Sequence, residues 1–289
     1  MATKLFQNDR PHTKDISWCP GCGNFQIRLA LIDVLEELNF KPKNTVIITG
    51  IGQAAKMVHY LNANGFHTLH GRALPVGTGL KLANPNLNVI VIGGDGDMYA
   101  EGMGHFIHAI RRNVNITVLI HNNQIYGLTK GQTSPTSLLG MKTSSNPEGV
   151  IEAPINPLAL AISLDCSFVA RTFIGYKDET KNILKEAITH KGFSMVDIFQ
   201  QCVTFNKLNT YKWYKENTKF LGDINKEDRL EAYKYALSED PFYVGIFYKK
   251  DKKPLDEQIE CYKKTKLPLY KRNFDKSKLE KFIDNNFKI

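Results

Sequence analysis

The chain has 289 residues, enough to bury a full core in one large domain with an extension. Apolar and charged fractions are those of an ordinary globular protein, and no run approaches the roughly 18 apolar residues that a membrane span needs. The charge of +9 concentrates late, with 20 Lys/Arg against 14 Asp/Glu from Gln201 onward, a surplus of 6. That surface reads either as solvated lysines or as a docking face for an acidic partner such as a small electron carrier. Acids alternate with the bases and no recognition motif accompanies them, which argues against nucleic acid. Residues 1–15 are polar and lack the apolar stretch of an export signal, so the cytoplasm is the expected compartment. Five cysteines, an odd number, then argue against a disulfide framework.

In chain order, Thr45–Gly50 reads as a β-branched strand and Ala54–Ala63 as a helix. His67–Gly71 reads as a second strand and Leu74–Ala83 as a helix of small residues. Asn88–Gly93 (NVIVIG) and Ile116–His121 (ITVLIH) are continuously apolar, as strands covered on both faces should be, and Gly102–Arg112 between them has helical spacing. Ser167–Ala170, Asp178–His190 and Ser194–Phe199 repeat strand, helix, strand. This alternation predicts an α/β fold with a doubly wound parallel sheet. Asn122 to Asn156 is a long polar stretch, the length of a functional loop. After Cys202 the chain turns aromatic and Lys-rich, with one weak strand at Phe242–Tyr248. It divides into a main domain over 1–205 and a C-terminal extension over 206–289.

The chemistry centres on Gly93-Gly94-Asp95-Gly96-Asp97, directly after the NVIVI strand. Ligands of open α/β sheets bind outside the carboxyl ends of the strands. Glycines there let backbone N–H groups approach a diphosphate. An aspartate between them offers a hard oxygen to Mg²⁺. The next strand delivers Asn122-Asn123 at its own carboxyl end, and Asn123 follows Asp95 by twenty-eight residues. GDG with a second Asn at this distance resembles the diphosphate motif of thiamin-diphosphate enzymes. The resemblance implies Mg²⁺ ligation by Asp95, Asn123 and the carbonyl of Ile125. It implies cofactor contacts from Gly94, Gly96, Asp97, Gly127 and Leu128. His70, in HGR, is placed either to reach the cofactor or to serve as a buried structural histidine. Thiamin enzymes also use a glutamate from a separate domain to activate the aminopyrimidine. This chain has no room for that domain, which predicts an obligate partner subunit.

Cys19-Pro20-Gly21-Cys22 admits three readings: a redox pair, a zinc half-site or ligands of an iron–sulfur cluster. Polar residues precede it, unlike a thioredoxin-type pair, and no second close pair exists for zinc. Cys202 ends a strand-like segment and is a candidate third thiolate. WCPGCGN, HGR, GGDGDMYAEG, NNQIYGLTKGQTSPTS and a cysteine past the last core strand occur in this order. Together, across roughly residues 15–210, they resemble the β subunits of 2-oxoacid:ferredoxin oxidoreductases. The resemblance implies the thiamin-diphosphate-binding fold and a [4Fe–4S] cluster held by four cysteines, of which Cys19, Cys22 and Cys202 match three. The fourth belongs in a Gly-Ile-Gly-Cys segment, but here Gly50-Ile51-Gly52 is followed by Gln53. A cluster with three thiolates and another group, a labile or three-iron cluster, and no cluster all remain open. Cys166 is most simply a buried small hydrophobe.

In that family the residues between Gly127 and Gly131 bear on which 2-oxoacid is accepted. Lys130 there suggests pairing with the distal carboxylate of 2-oxoglutarate, the alternative being an exposed loop lysine. Lys56 matches a position near substrate or cofactor, or is a surface helix lysine. The expected reaction is oxidative decarboxylation of a 2-oxoacid with coenzyme A, giving acyl-CoA, CO₂ and electrons for ferredoxin. A non-oxidative thiamin-dependent decarboxylase subunit would need the same GDG…NN site without a cluster. A dehydrogenase-like nucleotide module would want G-x-G-x-x-G opening a helix, which GGDGDM does not supply.

Overall fold

The apolar runs become the centre of an eight-stranded sheet in the computed structural model, which describes residues 4–7, 16–273 and 275–287. Of the polar N-terminal stretch, 1–3 and 8–15 lie outside the described residues. The elements in chain order are α1 (Asn24–Glu37), β1 (Thr45–Thr49), α2 (Met57–Tyr60), β2 (Asn64–His67), α3 (Ala73–Ala83), β3 (Asn88–Gly94), α4 (Met103–Arg112), β4 (Ile116–Asn122), α5 (Pro157–Ser163), β5 (Phe168–Phe173), α6 (Lys177–Thr189), β6 (Phe193–Phe199), α7 (Tyr211–Asn217), β7 (Thr218–Phe220), α8 (Arg229–Ala236) and β8 (Phe242–Lys249). Short helices follow over Leu255–Gln258, Glu260–Lys263 and Lys276–Asn286.

Strand order is β2-β1-β3-β4-β6-β5-β8-β7. All pairings are parallel except β5 with β8. Successive residues of one strand enter opposite cores, as a pleat requires. In β3, Ile90 and Ile92 pack on one face with Leu31 of α1, Tyr60 of α2 and Leu184 of α6. Val89 and Val91 pack on the other with Leu74 of α3, Phe106 of α4 and Leu158 of α5. This double cover is why the strands read as unbroken apolar runs. The chain leaves β1 for the edge strand β2, then returns to β3 on the other side. That reversal opens a crevice at the carboxyl ends of β1, β3 and β4.

Three sequence expectations shift. The predicted helix over 54–63 is a 3₁₀ turn plus the single turn α2, because Leu61 is extended and bridges Gln7. The strand expected at His67–Gly71 lies earlier: β2 ends at His67 because it pairs with Thr49, the last residue of β1. That leaves the HGR segment free at the carboxyl end of the sheet. The weak strand of the extension is eight residues long and joins the main sheet, antiparallel to β5. The long stretch from Asn123 to Asn156 carries no helix or extended strand, as its length predicts.

At the opposite end of the sheet Asn113 closes α4 in the left-handed conformation, φ 49°. It is buried, and its amide donates to the carbonyls of Lys252 and Lys253 (3.0 and 3.2 Å). Its carbonyl oxygen accepts from the Ser167 hydroxyl and the Phe193 backbone N–H (2.8 and 2.9 Å). Asn113→Ala leaves these buried groups unpaired and is expected to cost about 2–3 kcal/mol. The urea midpoint measures this.

Candidate active site

Four strand ends converge on one cavity with about 500 Å³ of empty space, open to solvent. Ile51–Ala54 follow β1, Gly94 ends β3 and Asp95–Asp97 follow it, Asn123 and Ile125–Thr129 follow β4, and Gln200 follows β6. β3 and β4 are hydrogen-bonded neighbours with Gly94 beside His121. That register brings Asp95 and Asn123 to one wall of the cavity. A Cβ on Gly94 would meet nothing nearer than the His121 carbonyl at 3.9 Å, so its backbone faces open space. Gly96 is the reverse case: a Cβ would lie 2.2 Å from the Tyr126 ring.

Asp95 is 2% exposed. One carboxylate oxygen accepts from the Ser134 hydroxyl at 2.5 Å and faces the Thr136 hydroxyl at 2.7 Å. Among the described residues no cation pairs with it. Burial therefore outweighs the two hydroxyls and pushes its carboxyl from 3.8 up to about 6. Asn123 folds its side-chain oxygen onto the Ile125 backbone N–H (3.1 Å), an Asx turn with Gln124 at its centre at φ 57°. Asp97 turns away from Asp95. One of its oxygens accepts from His70 Nδ1 (2.6 Å) and the backbone N–H groups of Gly71 (2.7 Å) and Ile51 (3.2 Å). It thus ties the ends of β1 and β2 to the Gly-rich turn, and burial still raises its pKa. His70 lines the cavity, a third exposed, edge-on to Tyr126.

A second group of side chains borders the cavity. The thiols of Cys19 and Cys202 are near enough to Cys22 to oppose its ionisation; burial is the larger cause and pushes that thiol up to about 11. Cys202 Sγ would lie 3.7 Å, and Gln53 Cγ 3.9 Å, from a Cβ placed on Gly127. Gln53 thus approaches Gly127 from the same side as Cys202. Its amide oxygen is buried without a partner among the described residues. Trp18 fixes this corner by donating from its indole to the Gln53 carbonyl (2.8 Å). Among the described residues no three His, Cys, Asp or Glu side chains converge on a single-ion site.

Of the residues read from the sequence, His70, Gly94, Asp95, Gly96, Asp97, Asn123, Ile125, Gly127 and Leu128 all line the cavity. Cys19, Cys22 and Cys202 gather beside it. Lys56 and Lys130 do not line it. Lys56 donates to the Ser17 hydroxyl (3.1 Å). Lys130 is exposed at φ 77°, without a partner among the described residues, next to the lining residues Leu128 and Thr129. Sequence reasoning missed Ser134 and Thr136, which hold Asp95, and His121, which lines the cavity. His121 is fully buried and neutral, its pKa pushed down to about 3 by burial, with Nδ1 bonded to the Asn24 side-chain oxygen (2.7 Å). The available signal was the run Thr133-Ser134-Pro135-Thr136-Ser137, hydroxyls crowded at the end of a functional loop.

A raised carboxyl stabilises the fold fully below the unfolded value, 3.8, and that contribution is lost as pH rises through about 6. The gap is worth about 3 kcal/mol. Relative to the parent in chelator, Asp95→Asn is therefore expected to gain stability from pH 4 to pH 7 by up to that amount. Urea midpoints at the two pH values check it, and a pH-independent difference refutes it.

Known proteins place this geometry. The family described as thiamine pyrophosphate enzyme, C-terminal TPP binding domain, matches residues 45–198. The family of C-terminal regions of the pyruvate ferredoxin oxidoreductase beta subunit matches residues 202–264. The β subunit of 2-oxoacid:ferredoxin oxidoreductase 1 from Aeropyrum pernix is 50% identical over 79% of this chain and 67% of its own length. The 2-oxoglutarate synthase subunit KorB of Archaeoglobus fulgidus is 37% identical over 88% of this chain and 91% of its own. A solved 2-oxoglutarate:ferredoxin oxidoreductase from Magnetococcus marinus, with 2-oxoglutarate, coenzyme A and succinyl-CoA bound, superposes with a TM-score of 0.89 at 35% identity. It covers 98% of this chain and 96% of its own. The sheet is thus the thiamin-diphosphate-binding fold, and the chain belongs to the 2-oxoacid:ferredoxin oxidoreductase β subunits.

Proposed function

We propose that this chain, joined to a partner subunit, oxidatively decarboxylates a 2-oxoacid, 2-oxoglutarate in preference, with coenzyme A to acyl-CoA and CO₂, passing electrons to ferredoxin. One observation carries the reading: Asp95 and Asn123, from adjacent strand ends, share a cavity with the bare backbone of Gly94. A buried carboxylate with no cation beside it among the described residues suits a hard divalent ion. Asp95, Asn123 and the Ile125 carbonyl are our ligands for Mg²⁺, with Gly94, Gly96 and Gly127 admitting the diphosphate. Thiamin diphosphate supplies the nucleophilic carbon and the electron sink. The chain's part is to anchor its diphosphate end. Leu128 shapes the wall, His70 is held by Asp97 at its edge, and the partner supplies the pyrimidine-activating domain. Exposed Leu128, Leu139 and Ile151, all on the long loop, offer that partner apolar surface.

Lys130 and Lys56 are the cations we assign to the substrate side, Lys130 to the distal carboxylate. A charge-assisted hydrogen bond is worth roughly 1.5–3 kcal/mol, or about ten- to a hundredfold in preference. The test is an anaerobic assay of the assembled complex with 2-oxoacid, coenzyme A and ferredoxin. Lys130→Ala is expected to lower kcat/KM for 2-oxoglutarate by about that factor while changing pyruvate little. Aldehyde release without ferredoxin reduction would overturn the oxidative reading.

Cys19, Cys22 and Cys202 are our ligands for an iron–sulfur cluster that hands electrons on singly. With Gln53 in the fourth place, one iron lacks a thiolate, since an amide is a poor ligand for soft iron. Gln53→Cys is therefore expected to raise the iron and sulfide retained per complex after anaerobic gel filtration. Unchanged, near-zero iron in both proteins removes the cluster from this chain.

A further inference from the structure

Asp197 lies in the middle of β6, fully buried, and does not line the cavity. Its carboxylate joins three elements. Arg171 of β5 donates from Nε to Oδ2 (2.9 Å). The Tyr99 hydroxyl donates to Oδ1 (3.0 Å), and Asn122 Nδ2 donates to the same oxygen (3.1 Å). Tyr99 belongs to the helical turn 97–101, separated from Asp95 by Gly96 alone. Asn122 is the residue before Asn123, and its side-chain oxygen faces the Thr136 hydroxyl (3.0 Å), which itself lies 2.7 Å from Asp95. One carboxylate thus grips the Asp95 segment through Tyr99 and the Asn123 segment through Asn122. It also fixes the Asn122 amide, nitrogen toward Asp197 and oxygen toward Thr136.

We infer that Asp197, with Arg171 neutralising it, is a positioning residue for the cation site, setting the separation of Asp95 and Asn123. The inference rests on the proposed reading of those two residues as Mg²⁺ ligands. Desolvating two charges is costly, and an apolar pair of similar volume would often serve stability as well. An apolar pair would offer no acceptor to Tyr99 and Asn122. Loss of a group that orients ligands typically weakens metal binding by roughly ten- to a hundredfold.

The test uses the assembled complex stripped by chelator. Thiamin diphosphate binding is followed by fluorescence quenching as Mg²⁺ is titrated. Asp197→Asn is expected to raise the half-saturating Mg²⁺ by roughly ten- to a hundredfold. Thr136→Val, which cuts the same chain nearer Asp95 and leaves the ion pair intact, should shift it in the same direction. The double variant should lose less than the product of the two factors. Asn113→Ala, destabilised at the far end of the sheet, should leave the midpoint unmoved. If Asp197→Asn does not assemble, Thr136→Val and Asn122→Ala decide. Unshifted midpoints in these variants, with binding abolished in Asp95→Asn, overturn the inference and spare the Mg²⁺ reading. An unshifted midpoint in Asp95→Asn overturns both.

Discussion

Two carboxylates are buried within one hydrogen-bonded network, and among the described residues only one has a cation beside it. Asp197 has Arg171, and the guanidinium also lies over the Phe199 ring at 4.6 Å. Among the described residues the side-chain partners of Asp95 are the hydroxyls of Ser134 and Thr136. Burying an uncompensated carboxylate is expensive, and a fold tolerates it where an ion or ligand supplies the missing charge. The rest of the site follows from that imbalance. Gly94 keeps space open next to Asp95, the Asx turn of Asn123 sets its amide on the same wall, and the hydroxyl-rich loop after β4 closes behind the carboxylate.

The sheet supplies what hydroxyls and glycines cannot, a fixed distance. β3, β4 and β6 are parallel and in register, and their carboxyl ends finish within one residue of each other, with β1 ending two residues short of β3. Side chains at that level meet without long excursions of the backbone. Asp97 secures the next level out. It binds Ile51, His70 and Gly71 through one oxygen and so locks the turn after β1 to the segment after β2. Each acidic residue of the Gly-rich turn therefore has its own direction, Asp95 toward the cavity wall and Asp97 toward the neighbouring loops.

Much of this was legible in the sequence because it is local. Continuous apolar strands ending in GGDGD and NN fix both the architecture and the residues at the strand ends. What stayed hidden depends on residues distant in the chain. Nothing near Ser134 or Thr136 says that their hydroxyls return to a carboxylate about forty positions earlier. His121 reads as one more strand residue until Asn24, on a helix near the N-terminus, is seen to fix its ring. β8 looked weak because its partner, β5, lies more than seventy residues upstream. The HGR segment was misread as strand because the end of β2 is set by the length of β1 rather than by its own residues.

Both borders of the sheet are short. β2 has four residues and β7 three, flanking strands of five to eight. An open lateral border is a template for adding a strand from another molecule, and brief borders make poor templates. A subunit synthesised apart from its partner therefore offers little for fibre-like self-addition while it waits. The long loop beside the cavity instead exposes apolar side chains, Leu128, Leu139 and Ile151, at the mouth of the site.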